Sequence, residues 1–343
     1  MADVGWTEKA KFLVTGGAGF IGSHFAKRLV KDYPGARVVV LDKLTYAGNL
    51  DNLRELEKED RFTFVRGDIC DAEKVGEVME SCDVCVNFAA ETHVDRSLGD
   101  ASSFVLTDVY GTHVLLEAAR RFGLKRFVQV STDEVYGEIL GDPVSEDSPL
   151  MPTNPYAASK AGGDRIAFSY YASFGVPVVI TRCSNNYGSH QYPEKLFPLF
   201  ITNVLEGKKL PVYGSGRNTR DWIHVEDHCS ALEALMEAEG VEGLVFNIGS
   251  GNELSVLDIA EKILRLLDGS EGLIEHVTDR PAHDRRYALN TDRIRAKVDW
   301  ASRIDFDQGL SDTVRWYREN RWWWEKIKSG ETYRKYYEKM YDR

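Results

Sequence analysis

Sulfur is scarce in this sequence. It holds five cysteines and five methionines among 343 residues. An odd cysteine count without framework spacing argues against a disulfide-stapled secreted domain and suits a reducing compartment. Cys82 and Cys85 do form a CxxC. No second pair or ligand cluster accompanies it, and the surrounding CDVCVNFAA reads as a buried strand, so both are expected to pack as small hydrophobes. Long apolar runs are missing too. None approaches the ~18 residues of a membrane span, and the start MADVGWTEKAK lacks the apolar stretch of a signal peptide. Positive charge is also short: 43 Lys and Arg against 54 Asp and Glu leave a net charge of −11. General binding of nucleic acid or anionic membranes needs Lys and Arg in surplus, so that class is disfavoured, although one small basic pocket is not. A soluble, cytoplasmic protein is expected.

Hydrophobic residues make up 43% of the chain and charged ones 28%, which supports a sizeable core and excludes global disorder. At ~150 residues per domain the length predicts one large or two modest domains. There is no internal repeat and no low-complexity linker. Short β-branched runs at 11–15, 37–41, 62–66, 84–88, 126–131 and 178–182 alternate with helical patterns at 20–31, 71–81 and 103–122. That alternation predicts an α/β fold, a parallel sheet covered on both faces. Asn154-Pro155 pairs a good N-cap with a residue suited to the first helical position. After about residue 183 the rhythm loosens, with Gly, Pro, Asn and aromatics frequent through residue 222, as in functional loops. Ser255 to Asp258 has the spacing of a capping box. The run Trp322-Trp323-Trp324 is expected to pack on the domain or a neighbouring subunit.

The segment from Val14 to Gly22 carries two overlapping glycine patterns. Gly17, Gly19 and Gly22 fit GxGxxG; Gly16, Gly19 and Gly22 fit GxxGxxG. Glycine suits a tight turn whose backbone must approach a pyrophosphate, ahead of a helix N-terminus offering N–H groups and a positive dipole end. Asp42 ends the next strand, where a carboxylate accepts ribose hydroxyls and repels a 2′-phosphate. The pattern predicts a dinucleotide site, for NAD rather than NADP. Tyr156 and Lys160 stand one helical turn apart on one face. An ammonium near a phenol favours phenolate, which can take an alcohol proton while hydride leaves for NAD⁺. Thr132, ending the strand before them, can bond the same oxygen. Asp133 and Glu134 follow it; neighbouring carboxyls can hold different protonation states, one acid and one base. His224 and His228 have a metal-compatible spacing without a third ligand, so no metal is expected.

These features resemble the extended short-chain dehydrogenase/reductase superfamily, with its Rossmann-type doubly wound sheet. STDEVYG (131–137) narrows the likeness to the dTDP-glucose 4,6-dehydratase family, as do LDKLTYAGN (41–49), AAETHVDRS (89–97), PYAASKAGGD (155–164), CSNNYG (183–188), PEKLFP (193–198), GRNTRDWIHVEDH (216–228) and DRPAHDRRYA (279–288). The resemblance covers essentially residues 10–320. Sugar-nucleotide epimerases share the glycines and YxxxK, but the acidic pair separates them; a 4-epimerase, a UDP-glucuronate decarboxylase or a catalytically silent NAD-binding regulator are the alternatives. The resemblance implies that residues 1–183 mainly bind NAD and that 184–343 mainly bind a nucleotide-sugar, with some elements returning to the first part. It implies that Phe20, Ile21, Asp42, Lys43, Leu44, Thr45, Asp68, Ile69, Ala89, Ala90, Thr107, Tyr156, Lys160 and Asn186 surround NAD. Thr92 and Thr132 would touch the hexose. Asn185, Lys195, Leu196, Pro211, Tyr213, Arg220 and the stretch 279–283, with Asp279, Arg280 and His283, would hold the nucleotide diphosphate. Lys195 and Arg220 make independent electrostatic sense in an acidic protein. Family members often carry a polar Asn where this chain has Val256, which puts base or diphosphate recognition in question. The family also implies a homodimer built from helices including the one that carries Tyr156.

Overall fold

The computed structural model describes residues 4–279 and 283–341. Its strands, in chain order, are β1 (Lys11–Thr15), β2 (Arg37–Asp42), β3 (Phe62–Arg66), β4 (Val84–Asn87), β5 (Arg126–Thr132), β6 (Val178–Cys183), β7 (Asn185–Tyr187), β8 (Leu210–Tyr213), β9 (Thr219–His224), β10 (Val245–Ile248), β11 (Glu253–Ser255) and β12 (Ile274–Val277). Seven of them form one parallel sheet in the order β10-β6-β5-β4-β1-β2-β3. Every residue of β4, β5 and β6 is buried, which is why these strands read as unbroken apolar runs rather than alternating ones. One hydrophobic cluster lies on each face of the sheet. The fold is of the Rossmann type, and its strand order reverses between β1 and β4. There Thr15 donates from Oγ1 to Asn87 Oδ1 at 2.6 Å and ties the two strand ends together.

The chain leaves this body after β6 and comes back. β10 joins the edge of the parallel sheet, and Val225, Cys229, Leu232 and Ile294 sit in the same core as β1. Between these returns, β11-β9-β7 and the β12-β8 pair build a smaller layer over a third core. Trp323 and Trp324 are fully buried in that core, whereas Trp322 remains 47% exposed.

The helix expected over 103–122 is not uniform. It is α-helical at Ala101–Phe104, widens into a π-helical turn at Val105–Gly111, and resumes at Thr112–Phe122. The neighbouring helix Pro155–Phe174 packs against the wide turn. A Cβ on Gly163 would lie 2.4 Å from the Asp108 carbonyl, so only glycine permits that approach. No described helix is long and apolar enough to cross a membrane.

Candidate active site

A crevice runs along the C-terminal ends of the parallel strands, at the point where their order reverses. One end of it is the turn from β1 into the helix Phe20–Asp32. Gly16 has φ +67°, and a Cβ there would sit 2.7 Å from the Ala89 nitrogen. A Cβ on Gly22 would come within 2.5 Å of the Gly16 carbonyl. Side chains are excluded from the turn, and bare backbone faces the crevice beside a helix N-terminus. That cradle fits a pyrophosphate. Gly19, Phe20 and Ile21 line it. The buried Asp42 accepts the N–H groups of Ala18 at 2.9 Å and Leu44 at 2.8 Å. Each of its oxygens keeps a lone pair for a ribose hydroxyl. Lys43 pairs with Asp68 at 2.6 Å, and Thr45, Ile69, Ala89, Ala90 and Thr107 complete this end. Leu44 departs from the expectation. At φ 58° its side chain turns onto the core, and it serves the site only through its N–H on Asp42.

β5 delivers the acids. The Thr132 hydroxyl caps the 3-10 turn Asp133–Tyr136, accepting the Glu134 N–H at 3.3 Å and donating to Asp133 Oδ1 at 3.1 Å. Asp133 is 3% exposed, and its Oδ2 is buried without a hydrogen-bond partner among the described residues. Burial, reinforced by the charge of Glu134, pushes the Asp133 carboxyl up to about 8. It therefore holds a proton at neutral pH. Glu134 is half-buried and lines the same crevice.

Asn154 Oδ1 accepts the Ala157 N–H at 2.9 Å and Pro155 occupies the first turn, which sets the start of the helix carrying Tyr156 and Lys160. Both line the crevice. Burial, with the charges of Glu134 and Asp108, pushes the Tyr156 phenol well up. The Lys160 ammonium donates to the Val130 carbonyl at 2.7 Å, and burial lowers its own pKa. Asp108 escaped the sequence reading because nothing in its pattern marks a π turn. That turn buries its carboxylate against Ser159 Oγ at 2.6 Å and the Glu91 N–H at 2.9 Å, and burial raises it to about 6.

Thr92 lines the crevice in the segment after β4, and the opposite wall carries Asn185, Asn186, Lys195, Leu196, Pro211, Tyr213, Arg220, Val256 and His283. Arg220 is locked by bonds to the carbonyls of Thr219 at 2.7 Å and Asp284 at 2.8 Å, and lies 4.3 Å over the Tyr287 ring. Asp279 does not line the crevice; it bonds His283 Nδ1 at 2.6 Å. Arg280 lies outside the described residues. Burial lowers His228 to about 3, so its ring is neutral, and its Nδ1 lies 2.9 Å from Asn186 Oδ1. His224 caps the following helix. Tyr46, Gln191 and Glu194 also line the crevice. The segments of Tyr46 and Glu194 matched in sequence, that of Gln191 did not, and no spacing rule marked these side chains.

The arrangement combines a dinucleotide cradle, a Tyr–Lys pair for alcohol oxidation and a protonated acid beside a second carboxyl. The family model of GDP-mannose 4,6 dehydratase matches residues 13–313. A dTDP-glucose 4,6-dehydratase of Streptomyces niveus is 51% identical over 323 residues, covering 93% of this chain and 96% of the relative. The crystal structure of the dTDP-glucose 4,6-dehydratase of Streptomyces venezuelae, with NAD bound, superposes with a TM-score of 0.90 at 47% identity, covering 92% and 99% of the two chains. A UDP-glucuronic acid 4-epimerase of Bacillus cereus shares the fold at a TM-score of 0.86 but only 30% identity, over 90% of this chain and 99% of that one. The chain belongs to the dTDP-glucose 4,6-dehydratase family of NAD-dependent nucleotide-sugar dehydratases.

Proposed function

We propose that this chain converts dTDP-α-D-glucose to dTDP-4-dehydro-6-deoxy-D-glucose and water. The observation that carries the reading is Asp133, a buried carboxyl that keeps its proton near neutral pH and adjoins Glu134 in the crevice of Tyr156 and Lys160. Oxidation alone needs no such pair; loss of water does. Gly16, Gly19, Phe20, Ile21, Gly22, Asp42, Lys43, Asp68 and Ile69 are the residues that would hold NAD. NAD bound there supplies the hydride chemistry, acceptance from C4 at the outset and return to C6 at the end.

Tyr156 takes the 4-hydroxyl proton, with Thr132 on the same oxygen. Lys160, one helical turn away on the same face, favours the phenolate that this step needs. The 4-ketone then acidifies C5. Glu134 removes the C5 proton, Asp133 protonates the departing 6-hydroxyl, and water leaves across C5–C6. Return of hydride to C6 and of a proton to C5 completes a net lyase reaction. Lys195, Arg220 and His283 bind the diphosphate, where fixed guanidinium geometry suits paired phosphate oxygens. Val256 offers that end no polar group, so we expect weaker discrimination between thymidine and uridine nucleotides.

We further propose a homodimer through the face formed by Val105, Leu106, Tyr110, Phe168, Tyr171 and Phe174, all exposed on the π turn and the helix that carries Tyr156. Five free thiols, four of them buried, suit a cytoplasmic setting. The test is incubation with a panel of nucleotide-glucoses, following the 4-keto-6-deoxy product by mass. A mass decrease of one water with dTDP-glucose supports the reading; an isomer of unchanged mass would mean an epimerase.

A further inference from the structure

Arg96 and Glu194 have no part in the chemistry above, yet they join the two walls of the crevice. Arg96 lies in the short helix Val94–Ser97 that follows β4. Glu194 stands on the other wall, one residue before Lys195. The Glu194 side chain is 1% exposed and that of Arg96 is 22% exposed. Arg96 Nη2 donates to Oε2 at 2.7 Å and Nε to Oε1 at 3.2 Å, the two-pronged geometry only a guanidinium offers. The same guanidinium lies between two rings, 3.6 Å from the centre of Tyr46 and 4.6 Å from that of Tyr336. The Tyr46 hydroxyl donates to the Thr92 carbonyl at 2.9 Å, and its ring meets Tyr192 edge-on at 5.3 Å. One cation thus gathers four separate segments: the loop after β2, the loop after β4, the loop before Lys195, and the C-terminal helix Glu331–Tyr341.

We propose that Arg96 is a positioning residue for the nucleotide-sugar, a clasp that sets the spacing between the Thr92 wall and the Lys195 wall. This rests on the substrate reading given above. Two physical consequences follow from the pair. A buried carboxylate needs its counter-charge, so neither wall can move away without exposing the other partner. Pairing also neutralises a carboxylate that lines the crevice one residue from Lys195, where an uncompensated negative charge would repel a diphosphate. The faces of both tyrosine rings attract the cation, and Tyr336 brings the helix Glu331–Tyr341 into the clasp.

The test compares the wild type with Arg96→Lys, which keeps the charge but loses the fork and the plane. It adds the double variant Arg96→Met/Glu194→Leu, which replaces the ion pair by apolar side chains and guards against simple unfolding. Calorimetry gives the Kd for dTDP, kinetics give KM and kcat for dTDP-glucose, and released nucleotide gives the NAD content. Arg96→Lys should raise Kd and KM by about 10-fold, which corresponds to about 1.4 kcal/mol of lost binding. kcat should fall far less, and NAD content should match the wild type. The double variant should recover the melting temperature without recovering Kd. Unchanged Kd and KM in either folded variant would overturn the proposal and leave the pair a support of the fold alone. A wild type that binds dTDP without converting dTDP-glucose would sink the substrate reading instead, while the dTDP affinities would still decide the clasp.

Discussion

The Asp133 carboxyl sits behind the end of β5 at 3% exposure, whereas its neighbour Glu134 reaches the crevice half-buried. Tandem acids after Ser131-Thr132 are visible in the sequence as a possible acid and base. Which one keeps its proton is not visible there, because desolvation is set by what packs around each carboxyl. Replacing each acid by its amide separates the assigned roles. Glu134→Gln should suppress exchange of the C5 proton with solvent deuterium. Asp133→Asn should permit that exchange and slow loss of the 6-hydroxyl, each variant losing about 100-fold or more in product formation. In both, reduced cofactor should build up on adding dTDP-glucose, seen by absorbance; normal dehydration by both would refute the pairing. The pH response has a defined sign. Folded Asp133 keeps its proton up to about 8, while an ordinary Asp ionises above 3.8. The wild type therefore loses stability relative to Asp133→Asn as pH rises from about 4 to about 8, and the gap in melting temperature should widen across that window. Turnover should fall as pH rises through about 8, where the acid is lost.

At the scale of elements, the turn between β1 and the helix Phe20–Asp32 was legible as a dinucleotide cradle, since glycine at those spacings has few other uses between a strand and a helix. Gly16→Ala places a methyl against the Ala89 backbone in a left-handed conformation that strains any L side chain. Purified Gly16→Ala protein should lack bound NAD while keeping the circular dichroism of the wild type. NAD content equal to the wild type would remove the cradle from that turn. The π turn at Val105–Gly111 shows the reverse case. Its sequence carries ordinary helical periodicity, and the extra residue per turn follows from packing on Gly163 and on Ile69, which stands 2.6 Å from where a Gly111 Cβ would be. That turn brings Thr107 to the crevice and buries Asp108 against Ser159, so no local pattern could have named Asp108.

Across the whole molecule, the C-terminal tryptophans are tied to the cofactor turn. Trp323 Nε1 donates to Asn52 Oδ1 at 2.9 Å across 271 residues, and Asn52 Nδ2 donates to the Ala18 carbonyl at 2.9 Å. Trp323→Ala should cost about 3–5 kcal/mol of stability, measured by denaturant unfolding. Trp323→Phe, which keeps most of the volume but loses the N–H, should stay folded and release NAD faster than the wild type; identical release would show that the link does not reach the turn. The sequence by itself determined six of the seven parallel strands, the glycine turn, the Tyr156–Lys160 face and the position of the acidic pair, because each is encoded in residues within one element or one turn. Tertiary structure alone decided the protonation of Asp133, the raised phenol of Tyr156, the turning away of Leu44, the place of Asp108 and the meeting of Arg96 with Glu194 from 98 residues away. Those properties depend on burial and on contacts between distant segments, and neither has a period or a spacing that a linear sequence displays.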